Sequence, residues 1–508
     1  MKKSVLLLFL SFILLFSSSA LADNTRTSGL YTYEIKGNGT LIIVDFDWNA
    51  NNGADVFIPA LIDGYTVTSI ANNAFDCDVF SKDGECAVRL PEGIVQIGEF
   101  AFRNSPINYI NIPASVQLIG KGAFANCQNM LQFNVDTDNP VYATIDGVLF
   151  NKQLKQLFSY PYASQTKITA YSIPNGIESI AAYSFFWEHS ENGRTDIEHQ
   201  FYRDCYFDLR HISIPGTVKE IGDYAFVHCL LPEMRINMNK IGEGSFYESG
   251  TINETKNRFG NISVYAEEIG AYAFYNYLGG INIHVNSIPE YAFYSVSSVT
   301  LNTGLEDIGD YALTYSLIET IPSTVKTIGV GAFRGIPSMG NGSPEFAFTI
   351  PGSVKHISDE AFYGSWEKRM FNDDDYDWML KLEIGEGCET IGTRAFSGHT
   401  HVSEIKLPST LTSIGDYAFS SCKRLEKIEL PMSLTSIGIE AFSECPMLRE
   451  ITLPESVVDI GNKAFDRANI TLWVKKGTYS ALWADENGYN YKYIGESKNA
   501  EDTSWLNN

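Results

Sequence analysis

Four of the eight cysteines in this 508-residue chain share one setting. Cys127, Cys229, Cys422 and Cys445 each follow an Ala-Phe pair, three residues after the Phe. An even number of cysteines suits a disulfide framework in an exported chain. A fixed offset from a large apolar residue points elsewhere, to a buried thiol acting as a small hydrophobe. Cys388, three residues before Ile391, stands where comparable segments carry Val or Leu, and the same reading covers it. Cys77, Cys86 and Cys205 fall outside the pattern, and a Cys77–Cys86 bridge is one pairing open to them. No cysteine spacing suits a metal ion.

Other reactive residues are weaker candidates. His399-Thr400-His401 would place two imidazoles on one face of a strand, but a solvated loop is the simpler reading. Asp373, Asp375 and Asp377 match the first three spacings of a calcium loop. Trp378 then stands where that loop needs Gly, and Ile384 where it needs Glu, so an acidic solvated loop is expected. The same stretch, Trp366 to Leu380, holds Trp366, Tyr376 and Trp378. Aromatics on a long loop can anchor a protein or a sugar, and these three are the candidate partner-binding residues. Tyr272, Tyr275, Tyr277, Tyr291 and Tyr294 pose the same alternatives, an anchor or a cover folded back over an edge. The chain has no His-Glu-x-x-His, no phosphate-binding Gly-x-x-x-x-Gly-Lys-Ser/Thr and no Gly-x-Ser-x-Gly. Nothing singles out a catalytic pair among its 61 acidic residues. It therefore reads as non-enzymatic, with no cofactor and no metal site.

The elements that must position these residues follow from a repeat. Val402 to Arg424, Leu425 to Met447 and Leu448 to Ile470 are three lines of 23 residues with one pattern. In the second line Ile428, Leu430, Leu434, Ile437, Ala441, Phe442 and Cys445 are the inward set. Ile428 and Leu430 alternate with polar neighbours as a strand does, and Pro431 ends that strand because it has no N–H to donate. Gly438 permits a further turn, and Ala441 makes room for Phe442. A period in the twenties marks a solenoid, whose coils bury their apolar sides only against each other.

Counting the Ile-x-x-x-Ala-Phe marker and close variants gives about fifteen coils. Proline precedes the marker Ile by six residues in many coils, Pro408, Pro431 and Pro454 among them, but is missing from Ile241 to Ile308. Coils there shrink to about 20 residues, a tighter run. Insertions interrupt the period near 131–171, 187–209 and 366–380. The first reads as a β-hairpin turning at Asp146-Gly147. Residues 23–60, with strands Tyr31–Ile35 and Leu41–Phe46, would cap one end. Residues 471–495, with a short helix from Thr478 to Asn487 and a strand at Tyr491–Ile494, would cap the other. Residues 496–508 read as a disordered tail.

Met1 to Ala22 has the form of a signal peptide: Lys2 and Lys3, an apolar run from Val5 to Phe16, and Ala20-Leu21-Ala22 for cleavage. No later stretch is apolar for long enough to span a bilayer, and no C-terminal anchor signal is present. The net charge of −24 repels nucleic acid and anionic membrane, and no basic patch offsets it.

The repeat Leu-x-x-Ile-x-Leu-Pro-x-x-Leu-x-x-Ile-Gly-x-x-Ala-Phe-x-x-Cys, recurring over about residues 58–470, resembles the BspA-like leucine-rich repeat family. The segment Asp146-Gly147-Val148-Leu149-Phe150 is similar to one that accompanies such repeats. The resemblance implies a curved leucine-rich repeat array with its strand sheet on the concave side. It also implies a secreted or surface protein of a host-associated microbe, with adhesion to host matrix or neighbouring cells among the activities of its members. The family motif is structural and carries over no binding residue. The fold expected is a β-rich α/β solenoid of short strands and short helical turns, capped at both ends. The function expected is a monomeric, secreted or cell-surface binder of a host matrix or cell-surface protein. The alternative is a carbohydrate-recognition module using the loop aromatics. Nucleic acid is not an expected partner.

Overall fold

The computed structural model describes residues 25–77, 86–163, 170–188, 207–253, 258–336, 345–364, 379–465 and 470–495. They gather into two compact units, one up to Cys229 and one from Leu230. Each is β-solenoid with little helix. Among the described residues no helix is long and apolar enough to cross a membrane.

The first unit opens with the antiparallel strands Thr25–Ser28, Tyr31–Lys36 and Thr40–Phe46. The second and third match the expected pair, while Thr25–Ser28 is an added edge strand. Thr40–Phe46 then pairs in parallel with Tyr65–Ile70, and the solenoid ladder runs on through Gln96–Ile97 and Leu118–Ile119. A second parallel sheet joins Val56–Phe57, Cys86–Arg89, Ile107–Ile112 and Gln132–Val135. Every regular coil thus feeds two sheets. Tyr142–Ile145 and Val148–Asn151 form a hairpin, with Asp146 and Gly147 both at positive φ. Buried Asn139 fixes its base: the amide donates to the Pro113 and Val116 carbonyls, and its oxygen accepts from Val141 and Tyr142 N–H. All the hydrogen-bonding capacity of that side chain is then used, which is what burial of an amide requires.

In the second unit one parallel sheet takes two-residue strands from eight successive coils, Ser287–Ile288 through Ser436–Ile437 to Asp459–Ile460. The other side of the coils supplies Glu345–Ile350, Met379–Ile384, Val402–Lys406 and Lys427–Ile428. Met379 and Leu380, expected within an insertion, belong to this strand, and Leu380 is fully buried. Of the seven inward residues of the 425–447 line, six are buried and Leu430 is half-buried. The strand stops at Ile428, before the proline, so the alternation does not carry Leu430 fully inside. The chain closes with helix Tyr479–Glu486 and strand Asn490–Tyr493. Trp483 of the helix meets Phe465 edge-on at 6.2 Å, and the Tyr489 hydroxyl donates to the Phe465 carbonyl.

Inside each unit the Phe rings stack from coil to coil in runs. Phe396, Phe419, Phe442 and Phe465 stack at 5.3–5.5 Å, near the spacing of adjacent strands. Phe75 and Phe102 do the same in the first unit at 4.8 Å.

Candidate interaction surface

The turn that carries each Phe decides which side chains reach the surface. It is not a helical turn. Two residues in it hold left-handed backbone, two before and two after the Phe: Tyr417 (φ 56°) and Ser421 (φ 61°) around Phe419, Tyr272 (58°) and Asn276 (53°) around Phe274. Alternate N–H groups leave the turn for the next coil: Tyr417 donates to the Ile439 carbonyl, Phe419 to Ala441 and Ser421 to Ser443, at 2.8–2.9 Å. The others close local bonds, as Ser420 N–H does to Tyr417. Helical bonding is interrupted at both left-handed residues, and each N–H from Tyr417 to Ser421 still finds an acceptor.

The conserved geometry also explains the small residues. Gly438 does not have positive φ. A Cβ there would lie 2.5 Å from the Asp416 backbone nitrogen of the preceding coil, so close approach rather than turning demands glycine. Asp416 then accepts from Ile439 N–H at 2.7 Å.

The position three after each Phe faces the carbonyl of the preceding coil's Phe. Cys127 donates its thiol to Phe102, Cys229 to Phe185 and Cys445 to Phe419, at 2.9–3.2 Å, and Cys422 lies 3.5 Å from the Phe396 carbonyl. Ser105 and Ser316 fill the same place with hydroxyls. All four cysteines are buried, as is Cys388; burial pushes the Cys127, Cys229 and Cys388 thiols above their ordinary range, and the neighbouring Cys445 thiol, then burial, does so for Cys422. The Cys77–Cys86 bridge is not made: Cys86 is a free thiol donating to the Ala54 carbonyl at 3.1 Å.

His399 is three residues after Phe396 and takes the cysteine position. It is 1% exposed rather than solvated, its ring 6.0 Å from that of Phe396. Burial pulls its pKa down to about 3, so it is neutral in the fold. His401 is half-buried beside Thr400, and the two imidazoles do not share an environment. Trp366, Tyr376, Trp378, the three aspartates between them and Cys205 lie outside the described residues.

Tyrosines gather on the turn surface of the second unit. Tyr272, Tyr291 and Tyr311, each two before the core residue, stack face to face at 5.0 and 5.1 Å. Tyr247, Tyr275 and Tyr294, each one after it, form a second column at 4.9 and 4.7 Å. The columns touch, with Tyr272 6.0 Å from Tyr275 and Tyr291 6.1 Å from Tyr294. Tyr315 meets Tyr294 edge-on at 5.5 Å. All seven are half-buried. Tyr277 is different: it is fully buried and hydrogen-bonds Thr251. Burial first, then neighbouring tyrosines and carboxylates, raise the phenol pKa values. Tyr275 reaches about 12 beside Glu248, Tyr272 is raised near Glu290 and Glu243, and Tyr291 near Glu290 and Asp310.

Elsewhere the same turn surface carries arginines over aromatic rings. Arg334 lies 4.7 Å from the Tyr363 ring and 2.8 Å from Glu360. Arg394 lies 5.3 Å from the Tyr417 ring and 4.0 Å from Glu360. In the first unit Arg103 lies 5.3 Å from the Phe100 ring and pairs with Asp76.

The sequence matches six copies of the BspA type leucine-rich repeat region, over residues 60–155, 195–277, 267–375 and 374–477. Among solved structures the chain is similar to a leucine-rich repeat protein from Bacteroides ovatus, at 20% identity over 92% of this chain and 99% of that one, with a TM-score of 0.43. It is also similar to a leucine-rich cell surface protein from Faecalibacterium prausnitzii, at 18% identity over 95% and 97%, TM-score 0.31. A pneumococcal vaccine antigen is similar at 14% identity over 93% and 98%, TM-score 0.33. No curated protein matches the sequence. With the repeat matched over well more than half of its length, the chain belongs to the BspA-type leucine-rich repeat family.

Proposed function

We propose that this chain is a secreted or cell-surface protein that binds protein partners on host or neighbouring-cell surfaces, as a monomer and without catalysis. The observation that carries this reading is the tyrosine surface of the second unit. Seven half-buried rings lie together on a turn face where the Phe column, not they, fills the core. Contiguous aromatic surface of this kind marks interfaces, and tyrosine suits them because one end is apolar and the other polar. The signal-like residues 1–22 support export, and adhesion is the activity that family membership brings as an expectation. In this reading residues 23–60 and 471–495 close the ends of the array, 496–508 form a tail, and the insertions add binding surface.

Residues 23–508 should capture at least one partner from an array of host matrix proteins, mucins and glycans. A chain lacking residues 366–378 locates the contact: loss of capture assigns it to Trp366, Tyr376 and Trp378. Glycan capture abolished by Trp366→Ala and Trp378→Ala would support the carbohydrate alternative. An array with no capture at all overturns the binding reading.

A further inference from the structure

We infer that the two tyrosine columns are a site of oxidative cross-linking, where a one-electron oxidant joins phenols of successive coils as dityrosine. This goes beyond the binding reading and does not depend on it. Tyr272 and Tyr291 lie 5.0 Å apart with planes 5° from parallel, and Tyr291 and Tyr311 5.1 Å apart at 15°. In the other column Tyr247 and Tyr275 lie 4.9 Å apart at 2°, and Tyr275 and Tyr294 4.7 Å apart at 8°. Each is a stacked pair contributed by two neighbouring coils. The backbone holds the pairs in register: Phe274 N–H bonds to the Ala292 carbonyl at 2.7 Å, and Phe293 N–H to that of Ala312 at 2.9 Å. The rings are half-buried, so a small oxidant reaches their edges while the fold keeps their faces together. Phe274 and Phe293 stack beneath them at 5.2 Å and 5°, but without an oxygen to oxidise.

The chemistry balances within one pair. Each of two stacked phenols gives one electron to the oxidant and its hydroxyl proton to water or a carboxylate. Glu290 lies near both Tyr272 and Tyr291, and Glu248 near Tyr275. The two phenoxyl radicals join through the ring carbons next to their oxygens, forming one C–C bond. Each joined carbon then loses its hydrogen as a proton while each oxygen regains one, which restores both aromatic rings. The pair has given up two electrons and two protons in all. Hydrogen peroxide, acting through a haem peroxidase, takes up both and leaves as two waters. Radicals can pass along a column, and between columns where Tyr272 and Tyr275 lie 6.0 Å apart, until two meet. At about 1 μM chain, a ring held in contact is at far higher effective concentration than any ring of another chain, so coupling within the chain wins. Each new bond ties coils that are otherwise buried only by one another, and restricts the opened chain.

The test treats residues 23–508, at about 1 μM, with a haem peroxidase and hydrogen peroxide, then cleaves after glutamate. Cuts at Glu268, Glu290, Glu306 and Glu319 put Tyr272 with Tyr275, Tyr291 with Tyr294, and Tyr311 on three separate peptides. Mass spectrometry should find these peptides joined in pairs, each pair lighter than its sum by two hydrogens. Fragmentation should place the bonds at Tyr272–Tyr291, Tyr291–Tyr311 and Tyr275–Tyr294. Tyr291→Phe keeps a ring in the stack and removes its phenol, so the first two links should vanish and the third remain. Tyr109, Tyr417 and Tyr479 stack on no ring among the described residues, and their links should be at least about tenfold rarer. In the joined chain, hydrogen exchange of residues 269–315 should slow by more than about tenfold, and that of 396–465 should not change. Links spread evenly over stacked and control tyrosines would overturn the inference. So would an unchanged pattern in Tyr291→Phe, or peroxide consumed with no dityrosine formed. An array without partners leaves it standing.

Discussion

The coils from Phe274 to Leu313 and those from Phe396 to Phe465 have one interior and two surfaces. Both bury an aromatic column and both send the core residue's N–H to the next coil: Phe293 to Ala312 and Phe419 to Ala441. Their lengths differ. Phe396, Phe419, Phe442 and Phe465 are 23 residues apart, whereas Phe274 and Phe293 are 19 apart. In the short coil, strand Gly280–His284 reaches Ser287–Ile288 with two residues between them. The long coil inserts the bend in which Leu434 N–H bonds to the Pro431 carbonyl. In the coils of Ile241, Ile269 and Ile288 the missing proline goes with a missing bend, while the coil of Ile308 keeps the bend on Asn302, whose carbonyl accepts from Leu305 N–H. The turn surfaces diverge as well: tyrosine columns in one run, serine and mixed charge in the other. The interior constrains every coil because each is buried only by its neighbours, while the turn surface is left to vary.

If the interiors are equivalent, truncating the column should cost the same in both runs. Phe293→Ala and Phe419→Ala should each lose about 3–5 kcal/mol, the range for a buried Phe. Phe419 has a ring on each side, at 5.4 and 5.3 Å, whereas Phe293 has Phe274 on one side and Leu313 on the other. Phe419→Ala should therefore lie toward the upper end of that range. Hydrogen exchange resolved by segment is the measurement, since coils can open locally. A Phe293 loss below about 1 kcal/mol would show that the short coils are not held by the column.

The next contrast is at the position three after the core residue. The short run has Tyr277, Val296 and Ser316 there, and the long run has His399, Cys422 and Cys445. Only His399 among them charges in mild acid. Its folded pKa, about 3, lies below the unfolded value near 6.5. Between those values the unfolded chain binds the extra proton. Stability is complete above pH 6.5 and falls as the pH drops toward 3, with a loss on the order of 3 kcal/mol by pH 4. His399→Cys should remove most of that slope in the long run and leave the exchange of the short run unchanged. Parallel pH profiles for the parent and the variant would refute this account of His399.

Much of the interior was legible from residue offsets. Ala-Phe pairs and the cysteines three places on landed where the count put them, because a coil repeats its contacts whenever it repeats its length. Three features were not legible. The second sheet uses two-residue strands such as Ser436–Ile437, too short to show a period of two. Gly438 looks like a turn glycine, but its reason lies in the preceding coil, which no local pattern reveals. His399 was obscured by His401, although the count from Phe396 assigns it to the core. The tyrosine columns carried a similar signal, Tyr272, Tyr291 and Tyr311 sharing one offset. Their stacking depends on successive coils lying in register, which the offset alone does not state.

Gly438→Ala tests the register directly. Its new Cβ would meet backbone of the preceding coil, which cannot rotate away as a side chain can, and a loss of about 1–3 kcal/mol is expected. Gly331→Ala in the coil after Leu313 meets only the ring edge of Tyr311, at 2.4 Å. Ala there must also hold φ near 59°, so its own cost is about 1 kcal/mol and falls on the end of the tyrosine column. The two variants should separate in thermal melts, with the Gly438 change the larger.

The smallest effect concerns the thiols themselves. If Cys445 were only a small hydrophobe, Cys445→Ala and Cys445→Ser would differ by the cost of burying a hydroxyl, and Ser would be the worse of the two. The structure argues the reverse. The Phe419 carbonyl takes its thiol at 3.2 Å, and Ser316 makes the corresponding bond to Phe293 in the short run. Serine can therefore donate where cysteine does, and alanine cannot. Cys445→Ser should stay within about 1 kcal/mol of the parent and be more stable than Cys445→Ala, since a hydroxyl forms the stronger bond to a buried carbonyl. Ser316→Cys should likewise be tolerated in the short run, making the position interchangeable between the two. Chemical denaturation of the four proteins decides it: alanine at or above serine would return these cysteines to the role of apolar filler.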